Sequence, residues 1–242
     1  MLIEQINVDI YNSLVDKVLI RRISKIVEKE LTKSQNNLEH TFRVANICAK
    51  LAKGIQKIDR DLLICGALLH DIGKVREYSD NPKNLKHSEI GAKMARGILF
   101  ELNCEEMFIN KVYEIVAYHS RKVDNVTLSY EAKIVHDADK LDNIGAIGIA
   151  RFYMVAGLYN ESIFCKTKKE EYIKNNIIGQ EIGGVIKDIT KHAPNIELAL
   201  NEEHLTDLYI EKAKTIAIKR IKFMHNFFKK LASEIEDSNI LG

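Results

Sequence analysis

The sequence predicts an all-α fold, and three observations support that prediction. Apolar residues recur at helical spacing in nearly every segment of the 242 residues. Only two prolines are present, which suits long helices better than a β protein with many turns. No run alternates apolar and polar residues as a half-buried strand would. We expect a single helical fold, with every site candidate within residues 1–160 and a helical extension over residues 161–242 packed on the same body.

Helices follow one another through the first half of the chain. The first is predicted over residues 10–31, with apolar positions facing the core at Leu14, Val18, Ile23 and Val27. The next is capped by Ser34 or Asn36 and has one broad face formed by His40, Val44, Ile47, Leu51 and Ile55. Three further helices are predicted over residues 60–69, 87–102 and 105–118, with a loop over residues 77–86.

The second half is predicted to be helical with more breaks. Residues 130–159 form a helix interrupted at Gly145 and Gly148, and a long terminal helix covers residues 202–236. The apolar stretch 141–159 contains Asp142, Asn143 and Arg151. Those polar residues indicate a buried core helix rather than a membrane span, so no membrane association is predicted.

Bulk composition excludes several classes of protein. The formal net charge is +2, from 36 basic and 34 acidic residues, which does not predict nucleic-acid binding. The four cysteines, at positions 48, 65, 104 and 165, form no CxxC pair and suggest neither a zinc site nor a disulfide framework. Cys48, Cys65 and Cys104 are expected to be buried thiols. Without an apolar leader segment after Met1, a cytoplasmic protein is expected.

The most informative local pattern is the run from Ala67 to Lys74, in which an apolar helix ends in His70 and Asp71. An imidazole and a carboxylate are costly to bury unless something pairs with them. A divalent cation suits both groups. His40 and Asp139 are the other predicted ligands, and Asp139 shares a helix face with Asp142, three residues on.

The order His40, His70-Asp71, Asp139 resembles the HD-domain metal-dependent phosphohydrolase superfamily. The stretch 38–44 is similar to its first motif, 70–74 to its second and 137–142 to its last, and the resemblance covers roughly residues 38–151. It implies a helical HD-type catalytic core within residues 1–160. It also implies one or two divalent ions per chain, Mn²⁺, Fe²⁺, Mg²⁺ or Co²⁺, since the ligand set contains no thiolate. His87 and His119 lie between the second and last motifs; they are predicted either to hold a second metal, with Asp71 bridging, or to bind substrate phosphate.

The resemblance implies that the protein hydrolyses a phosphate ester or anhydride. The expected substrate is a small phosphorylated molecule, a nucleotide, and Asp71 is expected to be a catalytic residue. Four cations are candidates to offset charge on the phosphoryl group: Lys74, Arg43, Lys140 and Arg151. Lys74 and Arg43 are also assigned catalytic roles. Pairing of Arg151 with Asp142 would satisfy that arginine without substrate. A phosphodiesterase of the cyclic-dinucleotide type is disfavoured, because Ser120, Arg121 and Lys122 stand where a Gly-Tyr-Pro signature would follow His119.

Two other functions stay open at this point. One is a non-catalytic nucleotide-binding or sensor module that retains the metal pocket. The other is a nucleic-acid interface on residues 212–230, which hold seven Lys or Arg and no acid. The apolar face of this helix is predicted at steps of four and three, at Ala217, Ile221, Met224, Phe228, Leu231 and Ile235. We favour packing of this helix in the core or in a homodimer, because only a short stretch lacks acids and Glu202, Glu203, Glu211 and Glu234 flank it. His136-Asp137 is expected to be structural, and His192, His204 and His225 are expected at the surface.

Overall fold

A computed structural model describes residues 16–32, 35–79, 86–120, 122–123, 126–182, 184–205 and 207–238. The chain divides into two compact units. The first comprises Met1–Asp142 with Leu208–Ala213, and the second comprises Asn143–Asp207 with Lys214–Gly242. Among the described residues the regular secondary structure is helical, apart from one isolated bridge between Ile177 and Ile186. The predicted all-α class is confirmed.

The first unit contains seven α-helices within its described residues. In chain order these are α1 (Lys17–Leu31), α2 (Gln35–Ala52), α3 (Arg60–Leu69), α4 (Lys74–Ser79), α5 (His87–Glu101), α6 (Glu106–Tyr118) and α7 (Tyr130–Asp142). The predicted helices over 60–69, 87–102 and 105–118 are confirmed to within one residue. Of the predicted loop over 77–86, Glu77, Tyr78 and Ser79 belong to α4 instead.

Helix α3 is the centre of the first unit. Every residue from Leu62 to Leu69 is buried, because α1, α2, α6 and α7 all pack around it. Asp59 caps its start by accepting a hydrogen bond from Leu62 N at 2.9 Å. Gly66 permits the close approach of α6, since a Cβ at this position would lie 2.7 Å from Ile115 Cγ2. The last turn of α3 therefore delivers His70 and Asp71 into the interior of the unit.

The second unit contains α8 (Gly145–Tyr159), α9 (Lys169–Asn176), a 3₁₀ turn (Ile189–Lys191), α10 (Pro194–Leu205) and most of α11 (Glu211–Ser238). A small apolar core lies among these elements, formed by Cys165, Tyr172, Ile177, Ala193, Ile196 and Leu200. His192 is buried beside this core and hydrogen-bonds with Tyr172 Oη at 2.8 Å and Glu197 Oε2 at 3.0 Å. The prediction that His192 lies at the surface is therefore wrong, because two polar partners stabilise its burial.

Several other local predictions are also wrong. The helix predicted over residues 130–159 is interrupted at Asn143 and Ile144, between α7 and α8. It is not interrupted at Gly148, which lies within α8. The predicted terminal helix is divided between α10 and α11. Val18 is 67% exposed, since the buried stripe of α1 runs through Ile20, Ile23, Val27 and Leu31. Leu14 and Ser34 lie outside the described residues, as do the side chains of Asn36 and His204.

The remaining packing predictions have mixed outcomes. Cys48 and Cys65 are buried as expected, whereas Cys104 is only half-buried. His225 is exposed, as predicted. In α11 the predicted apolar face is buried at four positions, Ala217, Ile221, Met224 and Phe228. Helix α8 is not a fully buried core helix, because Met154 and Leu158 are exposed. None of the described helices combines the length and apolar character that a membrane crossing requires.

Candidate metal centre

The site is built where the end of α3 meets α2 and α7. His70 Nε2 lies 3.3 Å from His40 Nε2 on α2. His40 Nε2 in turn lies 3.1 Å from Asp139 Oδ1 on α7 and 3.6 Å from Asp71 Oδ2. All four side chains are buried. The structure thus brings together the four residues that the sequence predicts as metal ligands, although they span a hundred positions of the chain.

The ring orientations leave nitrogen lone pairs facing this cluster. His70 Nδ1 donates to Ala67 O at 2.7 Å, and a carbonyl oxygen can only accept, so the proton must be on Nδ1. His40 Nδ1 likewise donates to Asp142 Oδ2 at 2.7 Å. The two Nε2 atoms therefore point at each other and at carboxylate oxygens, with at most one proton to share. This excess of acceptors fits a bound cation.

A second group of ligand atoms shares Asp71. His119 Nε2 lies 3.4 Å from Asp71 Oδ1, and His87 Nε2 lies 3.6 Å from the same oxygen. His119 Nδ1 donates to Val116 O at 2.7 Å, so its Nε2 also presents a lone pair. Among the described residues, Asp71 Oδ1 is a buried carboxylate oxygen that accepts no hydrogen bond. An orphaned, buried carboxylate oxygen beside imidazoles is what a cation site requires.

Two overlapping triads could therefore each hold a metal ion. One is His40, His70 and Asp71, and the other is Asp71, His87 and His119; within each, the ligand atoms lie within 4.8 Å of one another. Asp71 belongs to both, with Oδ2 towards the first and Oδ1 towards the second. Imidazole and carboxylate ligands without thiolate suit Mn²⁺, Fe²⁺, Co²⁺ or Mg²⁺.

Electrostatics hold these side chains in their ligand forms. Burial lowers the pKa of His70 to about 4, so this imidazole is neutral at physiological pH. Burial alone would raise the pKa of Asp71, but His70 and Lys74 hold it well below its usual range. Burial also opposes ionisation of Asp139, and Lys140 and His40 keep its pKa well below the usual value. Neutral imidazole and ionised carboxylate are the forms that bind metal.

His40 differs from His70 in its electrostatic surroundings. Burial acts to lower the pKa of His40, but hydrogen bonds to Asp139 and Asp142 raise it above the ordinary value. A positive charge is therefore favoured between His40 and its carboxylates. A metal ion would supply that charge in place of the proton.

A glycine sets the geometry of the turn after Asp71. A Cβ at Gly73 would lie 2.3 Å from His87 O and 2.5 Å from Gly91 N, so only glycine lets this turn touch the start of α5. That approach brings His87 to Asp71. Gly73 is therefore required by this backbone contact between the turn and α5.

The structure locates each predicted cation. Lys74 Nζ lies 3.0 Å from Asp71 Oδ2. Lys140 Nζ lies 3.5 Å from Asp139 Oδ2 and donates to Ser120 O. Arg43 directs its fork at Asp142, and Arg151 is a half-buried residue of α8, in the second unit. The substrate contacts predicted for these four residues stay predictions.

Two acidic residues near the cluster have other partners. Asp137 accepts hydrogen bonds from Tyr209 N at 3.0 Å and Ile210 N at 2.7 Å, which fits the structural role expected for His136-Asp137. Asp142 contacts His40 and Arg43 and was missed as a site residue. The sequence feature that could have indicated Asp142 is its spacing. Asp142 follows Asp139 by three residues, as Arg43 follows His40, so each pair shares one helix face.

Comparisons with known proteins agree with this geometry. Residues 37–144 match the family model of the HD domain. The chain is 31% identical over 135 residues to "Uncharacterized protein YpgQ" of Bacillus subtilis, covering 54% of this chain and 62% of that protein. It is 28% identical over 149 residues to the 3'-5' exoribonuclease YhaM of Bacillus licheniformis, covering 55% and 46%. This chain thus spans about half to three fifths of the length of these relatives.

Solved structures share the fold. An HD-superfamily hydrolase from Bacillus thuringiensis superposes with a TM-score of 0.66 at 23% identity, covering 91% of this chain and 98% of that one. YpgQ of Bacillus subtilis, solved in complex with ADP, superposes with a TM-score of 0.63 at 21% identity, covering 89% and 94%. At these identities the likeness establishes the architecture alone.

Proposed function

We propose that this chain is a metal-dependent phosphohydrolase of the HD-domain superfamily, on the premise that residues 37–144 match the family model of the HD domain. The bond cleaved is a phosphate ester or anhydride, and the substrate is a nucleotide. His40, His70, Asp71 and Asp139 would hold the metal.

One observation carries the proposal. The Nε2 atoms of His40 and His70 are 3.3 Å apart, and the neighbouring carboxylates of Asp71 and Asp139 have pKa values well below their usual range. An acceptor-rich, buried cluster of this kind is unfavourable without a cation. A structural role alone would be served better by apolar side chains of the same volume.

A divalent ion held there would lower the pKa of water and polarise a phosphoryl oxygen. The chain itself supplies the surrounding charges. The Lys74 and Lys140 side chains are partly exposed beside Asp71 and Asp139. Their ammonium groups can offset the negative charge that spreads over the phosphoryl oxygens during in-line attack.

The nucleotide assignment rests on two relatives. YpgQ of Bacillus subtilis has been solved with ADP, and YhaM is named as an exoribonuclease, whose substrate is a chain of nucleotides. Phosphate linked to a nucleoside is common to both. We therefore propose nucleoside phosphates as the substrate class, with His87 and His119 either binding that phosphate or completing a second metal site with Asp71.

The test is a hydrolysis screen on metal-stripped protein. Nucleoside mono-, di- and triphosphates and a short RNA are each supplied with Mn²⁺, Co²⁺, Fe²⁺ or Mg²⁺, and released phosphate, pyrophosphate and nucleotides are measured. Wild type is expected to turn over at least one nucleotide only when metal is present. Asp71→Ala should be inactive, whereas Glu101→Ala, at an exposed site on α5, should match wild type.

Two results would contradict this assignment. Turnover that survives in Asp71→Ala would remove Asp71 from the proposed mechanism. Metal and nucleotide binding without turnover of any substrate would instead favour the non-catalytic nucleotide-binding module.

A further inference from the structure

We propose that Asp142 and Arg43 form a positioning relay that orients His40 for metal binding, and that Arg43 acts through Asp142 rather than on substrate. This inference rests on the metal site proposed above and adds to it the residues that hold one ligand in place.

Asp142 is buried at 0% exposure and uses both oxygens. Oδ2 accepts from His40 Nδ1 at 2.7 Å and from an Arg43 terminal nitrogen at 3.0 Å. Oδ1 accepts from Arg43 Nε at 2.8 Å. Asp142 is therefore a carboxylate held in one orientation by a bidentate arginine.

That carboxylate decides which His40 nitrogen faces the cluster. An anionic acceptor at Nδ1 keeps the proton there and makes Nε2 the lone-pair atom, and Nε2 lies 3.1 Å from Asp139 Oδ1. An acceptor on the far ring nitrogen also makes an imidazole a better metal ligand. Asp142 thus fixes both the ring orientation and the basicity of His40.

His40 differs from the other two buried histidines of the cluster in the group that accepts its Nδ1 proton. His70 and His119 direct Nδ1 to carbonyl oxygens three residues earlier, Ala67 O and Val116 O. His40 instead uses a charged side chain that lies 102 positions further along the chain. Its orientation can therefore be altered by changing side chains while leaving the backbone intact.

Arg43 is engaged by carboxylates on both sides of its guanidinium. Besides the fork onto Asp142, its remaining terminal nitrogen lies 3.7 Å from Glu39 Oε2. Phosphate recognition would require this bidentate fork to leave Asp142. Asp142 would then be a buried anion with a weaker set of donors, which is costly.

The experiment measures Mn²⁺ affinity of metal-stripped protein by titration calorimetry, with no substrate present. Asp142→Asn should weaken Mn²⁺ binding about 10- to 100-fold, the usual effect of losing such a partner. Asparagine keeps the shape but cannot accept from His40 and from both Arg43 nitrogens. Arg43→Gln should weaken binding in the same direction by a smaller factor, and Arg43→Lys, which keeps the charge but loses the fork, should not restore it.

The double variant Arg43→Gln with Asp142→Asn separates a relay from two independent roles. If Arg43 acts through Asp142, the Mn²⁺ affinity of the double variant should lie within about twofold of the affinity of Asp142→Asn alone. Arg96→Gln is the matched control, since Arg96 is exposed, and its guanidinium donates to Asn110 Oδ1 at 2.8 Å and lies over the ring of Tyr113. The control should bind Mn²⁺ as wild type does.

Several outcomes would overturn the relay. Unchanged Mn²⁺ affinity in Asp142→Asn, multiplying effects in the double variant, or an Arg43→Gln effect confined to the KM for nucleotide would each do so. If Asp142→Asn fails to fold, the half-buried Arg43 variants still decide, because unchanged Mn²⁺ affinity in both contradicts the proposal. A wild type that binds no Mn²⁺ would overturn the metal site itself and the relay with it.

Discussion

Lys74 illustrates how one side chain near the cluster can have opposite effects on metal and on substrate. Its ammonium lies 3.0 Å from Asp71 Oδ2, the oxygen that faces His40 and His70. The same positive charge that would attract a phosphoryl group therefore competes with a cation for Asp71. The two effects can be separated by measuring metal binding and turnover independently.

We expect Lys74→Gln to lower kcat/KM for a nucleotide while strengthening Mn²⁺ binding by about three- to tenfold, because removing a like charge favours the cation. Steady-state kinetics at saturating Mn²⁺ gives kcat/KM, and calorimetry without substrate gives the Mn²⁺ affinity. Lys111→Gln, about 12 Å before His119 along α6, should change neither. Weaker Mn²⁺ binding in Lys74→Gln would contradict competition for Asp71.

At the scale of elements, the site depends on how closely the turn after α3 approaches α5. The buried helix α3 ends at Leu69, and Gly73 lies against the backbone at His87 and Gly91. Backbone atoms cannot move aside as a flexible side chain can. This contact therefore couples the His70-Asp71 end of α3 to the position of His87.

Gly73→Ala should destabilise the protein by about 1–3 kcal/mol through overpacking and should weaken any cation binding that uses His87. Gly97→Ala, within α5 but with nothing within 4 Å of the added Cβ, should be neutral or stabilise by up to about 1 kcal/mol. Chemical denaturation of both variants measures the difference. Equal stability of the two would show that the turn relaxes and that Gly73 is not required there.

At the scale of the whole molecule, a cation would act as a stabilising ligand. Two helices and a turn from separate parts of the chain contribute the cluster, and none of them forms the set of ligand atoms alone. The unfolded chain therefore has no preformed site. Cation binding should be linked to folding of the first unit.

Mn²⁺ at one hundred times its Kd should stabilise the first unit by about 2.7 kcal/mol, and chelation should reverse the gain. Scanning calorimetry with and without Mn²⁺ would show this as a rise in Tm. The Asp71→Asn variant should show no such rise. A wild-type Tm that is insensitive to Mn²⁺, Co²⁺ and Mg²⁺ would contradict the proposed site.

The sequence by itself determined the helical class, the buried helix that ends in His70 and Asp71, and the four principal ligand candidates. The helical class and the His70-Asp71 pair could be predicted because helical periodicity and a costly polar pair at the end of an apolar run are local features. His40 and Asp139 could be predicted because the order of the motifs resembles that of the HD-domain superfamily. Predictions of which helix face is buried, and of where a helix is interrupted, were partly wrong. Val18 and Gly148 show this, since neighbouring helices decide which face is buried and whether a glycine interrupts a helix.

Only the tertiary structure decided how those ligands are held. The meeting of α2 with α7 places Asp142 on His40 and gives it the fork of Arg43, which spacing along the chain could suggest but not establish. Packing likewise buried His192 with Tyr172 and Glu197, although its local sequence is polar. Contacts between residues far apart in the chain supply the partners that make a buried polar side chain stable, and no local pattern encodes them.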